Sequence, residues 1–217
     1  MPLAIFDLDN TLLSGDSDYL WGEFLCDRQI VDRDFYEREN QRFYEEYKQG
    51  KLDIFEFLEF SLRPLSQHDM QQLHAWHREF MKEKIEPLIT PRAEELVAMH
   101  RERGDTLLIV TATNAFVTAP IAARFGIDNL IATNPEIVAG RYTGHVSGEP
   151  SYRQGKVVRL REWLAMHGEM LDGSWFYSDS HNDLPLLEIV DNPVVVDPDE
   201  ILAREAESRG WPVISLR

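Results

Sequence analysis

The apolar positions of this chain follow two different patterns. At the start, and again from about residue 104 onward, they gather in short unbroken runs: Leu3-Ala4-Ile5-Phe6, Leu107-Leu108-Ile109-Val110, Trp175-Phe176-Tyr177 and Val194-Val195-Val196. Such runs, bounded by polar or turn-forming residues, predict buried strands. Asn129 to Thr133 and Val213-Ile214 read as further short strands, and Glu136 to Gly144 as a hairpin turning at Ala139-Gly140. Amphipathic helices are predicted between them. One covers Pro91 to Arg103, with Thr90 as cap and Pro91 at the first position. Others cover Ala115 to Phe125, where Pro120 delays or kinks the start, then Lys156 to His167 and Asp199 to Arg209. Strands alternating with helices imply an α/β fold built on a doubly wound parallel sheet with right-handed crossovers.

From Asp16 to about Glu86 the runs vanish and the spacing turns helical. Tyr19, Leu20, Trp21, Phe24 and Leu25 share one face, and Phe35, Phe43, Tyr44 and Tyr47 sit among many Glu, Arg and Gln. The charged residues from Arg33 to Glu46 read as a solvated helix face with local ion pairs. Gly50 breaks that helix, Asp53 caps the next, Pro64 stops it, and Ser66 opens a run holding Leu73, Trp76 and Phe80. The expected organisation is an α/β core domain, residues 1–14 and 87–217, with a helical cap domain, 15–86, inserted after the first strand.

Composition narrows the partners. A formal net charge of -16 over 217 residues argues against a nucleic-acid or anionic-membrane surface. The single cysteine, Cys26, excludes an internal disulfide, and its apolar neighbours make it a packed side chain. No apolar stretch approaches the ~20 residues of a membrane span, and Met-Pro-Leu-Ala enters a strand without a basic leader. Cytoplasmic residence is the default expectation.

The candidate chemistry lies at the ends of strands. Asp7-Leu8-Asp9-Asn10-Thr11 follows the first run directly, and alternation along a strand points Asp7 and Asp9 the same way. Two such carboxylates repel unless a divalent cation joins them, and hard oxygen ligands suit magnesium. The segment alone fits an Asp-rich turn capped by Asn10 or Thr11 equally well. Thr111 ends a second strand, and Asp179 with Asp183 forms another acidic pair after a third. In open parallel sheets, ligands bind beyond the carboxyl ends of the strands.

Together these segments resemble the haloacid dehalogenase superfamily of phosphatases, in the branch that holds phosphoserine and histidinol phosphatases. Asp7-Leu8-Asp9-Asn10-Thr11 is similar to the first motif of that family, Thr111 to the second, Lys156 after Gly155 to the third, and Asp179-Ser180-His181-Asn182-Asp183-Leu184-Pro185 to the fourth. The order holds over nearly the whole chain, with the helical stretch where this branch carries its cap. The resemblance implies a phosphomonoester hydrolase with Asp7 as nucleophile and Asp9 as acid and then base. It implies Mg2+ held by Asp7, Asp179 and the backbone carbonyl of Asp9. Thr111 and Lys156 would stabilise the transferring phosphoryl group. Asp183, Asn182 and Thr11 would support the metal or the phosphate. Since a free aspartate has a pKa of ~3.9, the acid role requires that of Asp9 to be raised.

The implied partner is a small phosphate ester. Relatives that take phosphoserine hold its amine with a cap Glu and its carboxylate with a cap Arg. Here Asp16 falls near the first position and Glu59 near the second. Acidic groups with Tyr19, Trp21 and Phe57 suit an amine or imidazole better. Histidinol phosphate, within amino-acid biosynthesis, is therefore the leading expectation and phosphoserine the second; a phosphotransferase would use the same aspartate. His74 and His77 are three apart on a helix, a metal-binding spacing without an obvious third ligand.

Overall fold

A computed structural model describes residues 1–217, and the two apolar patterns become two kinds of layer. In chain order the elements are β1 (Leu3–Phe6), α1 (Ser17–Asp27), α2 (Arg33–Lys48), α3 (Ile54–Gln67), α4 (Met70–Phe80), α5 (Pro91–Glu102), β2 (Thr106–Asn114), α6 (Ala115–Arg124), β3 (Asn129–Thr133), β4 (Pro135–Val138), β5 (Arg141–Val146), α7 (Gln154–His167), β6 (Trp175–Ser178), α8 (Leu184–Leu187), β7 (Asn192–Val196), α9 (Glu200–Arg209) and β8 (Val213–Ile214). Six strands form one sheet in the order β3-β2-β1-β6-β7-β8, every pairing parallel. The chain builds outward from β1 to β3, then returns to lay β6 on the other side of β1, so the strand order reverses there. At such a switch point the first turns of the two connections diverge and leave a crevice.

Both faces of the sheet are covered, which is why its strands read as unbroken apolar runs. Leu3, Ile5, Leu108, Val110, Phe176 and Val195 pack beneath α7, α8 and α9. Ala4, Phe6, Leu107, Ile109 and Tyr177 point the other way, into a second core shared with α1, α4, α5 and α6. There Trp21, Phe24, His77, Phe80 and Phe116 pack ring on ring with centroids 5.2–5.9 Å apart, most pairs edge to face and Trp21 stacked on Phe24. His77 is a member of this cluster, its Nε2 2.9 Å from the Val117 carbonyl, and no group of three metal-ligating side chains exists around it or elsewhere. The passages into and out of the helical stretch pair with each other at Leu13 and Ile89.

Two helix boundaries differ from expectation. α3 does not stop at Pro64 but runs through it to Gln67. Proline removes the amide that would bond the Phe60 carbonyl four residues back, and the Tyr36 hydroxyl donates to that carbonyl at 3.4 Å instead. Ser66 does not open the next helix. Its hydroxyl turns back to the Arg63 carbonyl, while Asp69 caps α4 through the Gln72 amide at 2.8 Å. Pro120 lies within α6, which starts at Ala115 under an Asn114 cap. The β4–β5 hairpin, expected with the core, lies against α3, where Gly144 meets Ser66 and Arg63.

Candidate active site

The carboxyl end of β1 is built to deliver Asp7. The ladder with β6 continues through the Asp7 amide, which donates to Tyr177 at 2.9 Å. The chain then winds through a tight turn, Leu8–Leu12, in which Asn10 takes a left-handed φ of 56°. That turn brings Thr11 back over the strand end. Its hydroxyl lies 3.4 Å from an Asp7 oxygen and 3.0 Å from an Asp179 oxygen, and it accepts the Asp179 amide at 3.1 Å. Acidic residues 172 positions apart in sequence thus meet across one threonine.

Lys156 reaches the same point from the first turn of α7. Its ammonium is 2.7 Å from Asp7 and 2.7–2.8 Å from both oxygens of Asp183. Gly155 makes this approach possible, since a Cβ there would lie 2.1 Å from the Pro150 carbonyl oxygen. Asp183 also accepts from the Ser178 hydroxyl at 2.7 Å. Thr111 is buried at the edge of the group, accepting the Thr113 amide at 3.2 Å. Asp9 is held by the Ser17 amide at 2.6 Å and the Thr113 hydroxyl at 2.8 Å.

Three carboxylates, Asp7, Asp179 and Asp183, gather around one ammonium, and the crowding of negative charge shows in the protonation of Asp7 and Asp179. Burial pushes the Asp7 carboxyl up to about 7 against the pull of Lys156, and it pushes that of Asp179 well above the carboxylate range, aided by the Asp7 and Asp183 charges. Burial alone would lower the Lys156 ammonium, but Asp183 and Asp7 more than reverse this. Burial, with the Asp16 charge, raises Asp9 to about 6, partly offset by its bonds from Ser17 and Thr113. A hard divalent cation between Asp7 and Asp179 would relieve the repulsion. The donor set suits magnesium, which takes one or two carboxylates and fills the rest with water and phosphate oxygens.

A chamber opens above this centre. Its floor is Asp7, Asp9, Thr111 and Lys156, and its walls include Asp16, Asp18, Tyr19, Tyr44, Tyr47 and Phe57. Asp16 lines it and caps its own helix, accepting from the amides of Asp18 and Tyr19 at 3.0 Å. Glu59 is corrected. It is exposed and borders an outer groove with Glu39, Arg42 and Arg63, because α3 buries Leu58 and Leu62 and turns position 59 to solvent. Asn182 lies outside the chamber. Its carbonyl accepts from Arg153 at 2.9 Å and Tyr152 at 3.2 Å, and its amide donates to the Tyr47 carbonyl at 3.3 Å, tying α2 to the motif around Asp183. Sequence reasoning missed Thr113, Asp18, Tyr47 and Arg153. Thr113 was within reach of it, lying two residues beyond Thr111 and so on the same face of β2; the other three owe their places to the packing of α1 and α2.

The fold is a doubly wound α/β sheet with an acidic crevice at its switch point. The model of haloacid dehalogenase-like hydrolases matches residues 4–188, and the chain belongs to that family. It is 47% identical to the histidinol-phosphatase of Neisseria meningitidis serogroup C, with 99% of each chain covered. A structure of a protein of unknown function from Bordetella pertussis Tohama I is 48% identical, with a TM-score of 0.94, 100% of this chain and 99% of that one covered. The same fold recurs at 20% identity and a TM-score of 0.73 in a substrate-bound phosphoserine phosphatase, over 98% of this chain and 92% of that one. The chain is a hydrolase of this family.

Proposed function

We propose that this enzyme hydrolyses histidinol phosphate, with magnesium, through a phosphorylated Asp7, and so serves amino-acid biosynthesis. The observation that carries the chemistry is the meeting of Asp7, Asp179, Lys156 and Asp183 at the switch point of the sheet. Asp7 attacks phosphorus, and the ester oxygen leaves with a proton from Asp9, whose raised pKa suits a donor near neutral pH. Asp9 then takes a proton from the water that cleaves the acyl phosphate. Asp7, Asp179 and the Asp9 carbonyl are the groups that would hold magnesium, which would supply charge neutralisation for the incoming phosphate. Thr111 and Lys156 steady the phosphoryl oxygens, while Asp183 holds Lys156 in place. Residues 15–86 act as the cap over the chamber.

Two observations support the substrate. The relative from Neisseria meningitidis bears that activity in its name. The chamber wall holds carboxylates and aromatic rings, with Lys156 as its single cationic side chain, so a substrate carboxylate would find no arginine to receive it. The test is phosphate release from a panel of phosphorylated metabolites with magnesium and with a chelator. Histidinol phosphate should exceed phosphoserine by about tenfold or more in kcat/KM, and chelation should abolish both. Asp7→Asn should lose about 1,000-fold or more of the rate with its circular dichroism unchanged. A folded Asp7→Asn enzyme of near-normal rate would remove Asp7 as nucleophile, and preference for phosphoserine would remove the substrate.

A further inference from the structure

Of the carboxylates that line the chamber, one has no settled partner. Asp7 is engaged by Lys156, Asp9 accepts from Ser17 and Thr113, and Asp16 caps α1. Asp18, half-buried in the first turn of α1, takes a single contact, from the Asn114 side-chain amide at 3.4 Å, beyond the usual range of a good hydrogen bond. Asp16 has already capped the first amides of the helix, so the Asp18 carboxylate turns off the helix axis into the cavity.

We propose that Asp18 is the specificity-determining residue that pairs with the cationic end of the substrate, selecting phosphomonoesters that carry an amine or imidazolium. This rests on the cationic-substrate reading above and deepens it. The partner cannot come from the chamber wall, whose one cation is already held between Asp7 and Asp183. Burial, with the Asp16 and Asp9 charges, keeps the Asp18 carboxyl far above its ordinary pKa, the condition of a carboxylate lacking a counter-charge. The Tyr19 and Tyr44 rings, 5.6 Å apart, stand on the same wall and offer aromatic faces to a cation. A positively charged group brought in by the substrate satisfies all three conditions.

The test compares kcat/KM for histidinol phosphate and phosphoethanolamine with that for phenyl phosphate, whose tail is uncharged. In Asp18→Asn the ratio of cationic to uncharged ester should fall about 10- to 100-fold, expressed in KM. The comparison divides out any change in the common hydrolytic step. Asp18→Ser should shift the ratio likewise, and calorimetric binding of the product histidinol should weaken in parallel. Asp69→Ala, which removes the exposed cap of α4 away from the chamber, should lower the melting temperature and leave the ratio alone. If wild-type enzyme favours the cationic esters and both Asp18 variants keep that preference, the assignment of Asp18 is wrong while the substrate reading stands. If wild-type enzyme shows no preference for them, the cationic substrate falls and this inference with it.

Discussion

Lys156 is 3% exposed, and its ammonium lies within 2.8 Å of oxygens from both Asp7 and Asp183. Such burial is tolerable because two carboxylates offset the lost hydration of one ammonium. The converse dependence is stronger. Without Lys156, Asp7 and Asp183 would be left as unneutralised carboxylates in a dry site. Lys156→Met is therefore expected to cost about 3 kcal/mol of stability and about 100-fold or more in phosphate release. Lys156→Met with Asp183→Leu should recover part of the stability and none of the activity. Urea unfolding and phosphate release measured on the same preparations check both. A rate within twofold of wild type in the single variant would leave Lys156 as a structural ion pair alone.

At the scale of elements, the end of α2 docks on the segments that carry Arg153 and Asn182. Tyr47 and Gly50 offer their carbonyls to Asn182 and Arg153, at 3.3 and 2.6 Å, and close one side of the chamber. Arg153 holds a non-glycine backbone at φ 49°, a strained conformation kept by its bonds to both partners. Gly50 has φ +66°, and a Cβ there would fall 2.6 Å from the Arg153 guanidinium and 2.9 Å from the His181 ring. Gly50→Ala should thus lower kcat/KM about tenfold and destabilise by about 1 kcal/mol, with new proteolytic cleavage near residues 47–53. Unchanged kinetics would mean that this contact does not shape the chamber. The sequence announces Gly50 as a helix breaker but says nothing of what it admits. The same limit applies more widely. The sheet was legible because strands buried on both faces are apolar throughout, and the strand-end acids followed from the order of those strands. Asp18 and Glu59 were not legible, because which face of a helix meets a cavity depends on partners far away in the chain. The fate of Pro64 was hidden for a similar reason, its freed carbonyl being satisfied from α2.

Across the whole molecule, two sets of titrating groups oppose each other. The acids at the crevice have raised pKa values, Asp7 to about 7 from 3.8. The folded state binds their protons more readily than the unfolded chain does, so their contribution to stability is full below 3.8 and is lost as pH rises through about 7. His100 behaves in the opposite sense. It is wholly buried, with Nδ1 2.7 Å from Asp105 and Nε2 2.7 Å from the Tyr177 hydroxyl, joining α5 to β6 on the far side of Phe6 from the chamber floor. Burial lowers its pKa from 6.5 despite the pull of Asp105, so it is held neutral in the fold. Its contribution is complete above 6.5 and is lost as pH falls toward its folded value. Wild-type stability alone would mix the two effects, but a difference separates them. His100→Gln keeps the crevice intact, removes the ring and leaves the Tyr177 hydroxyl short of an acceptor, at a cost of about 2–3 kcal/mol at pH 7.5. The gap between wild type and variant should narrow at pH 5.5, where the wild-type imidazole must either stay neutral against the solvent or ionise in the core. Urea midpoints at the two pH values read it directly, and a gap of equal size at both would show that His100 does not titrate on unfolding.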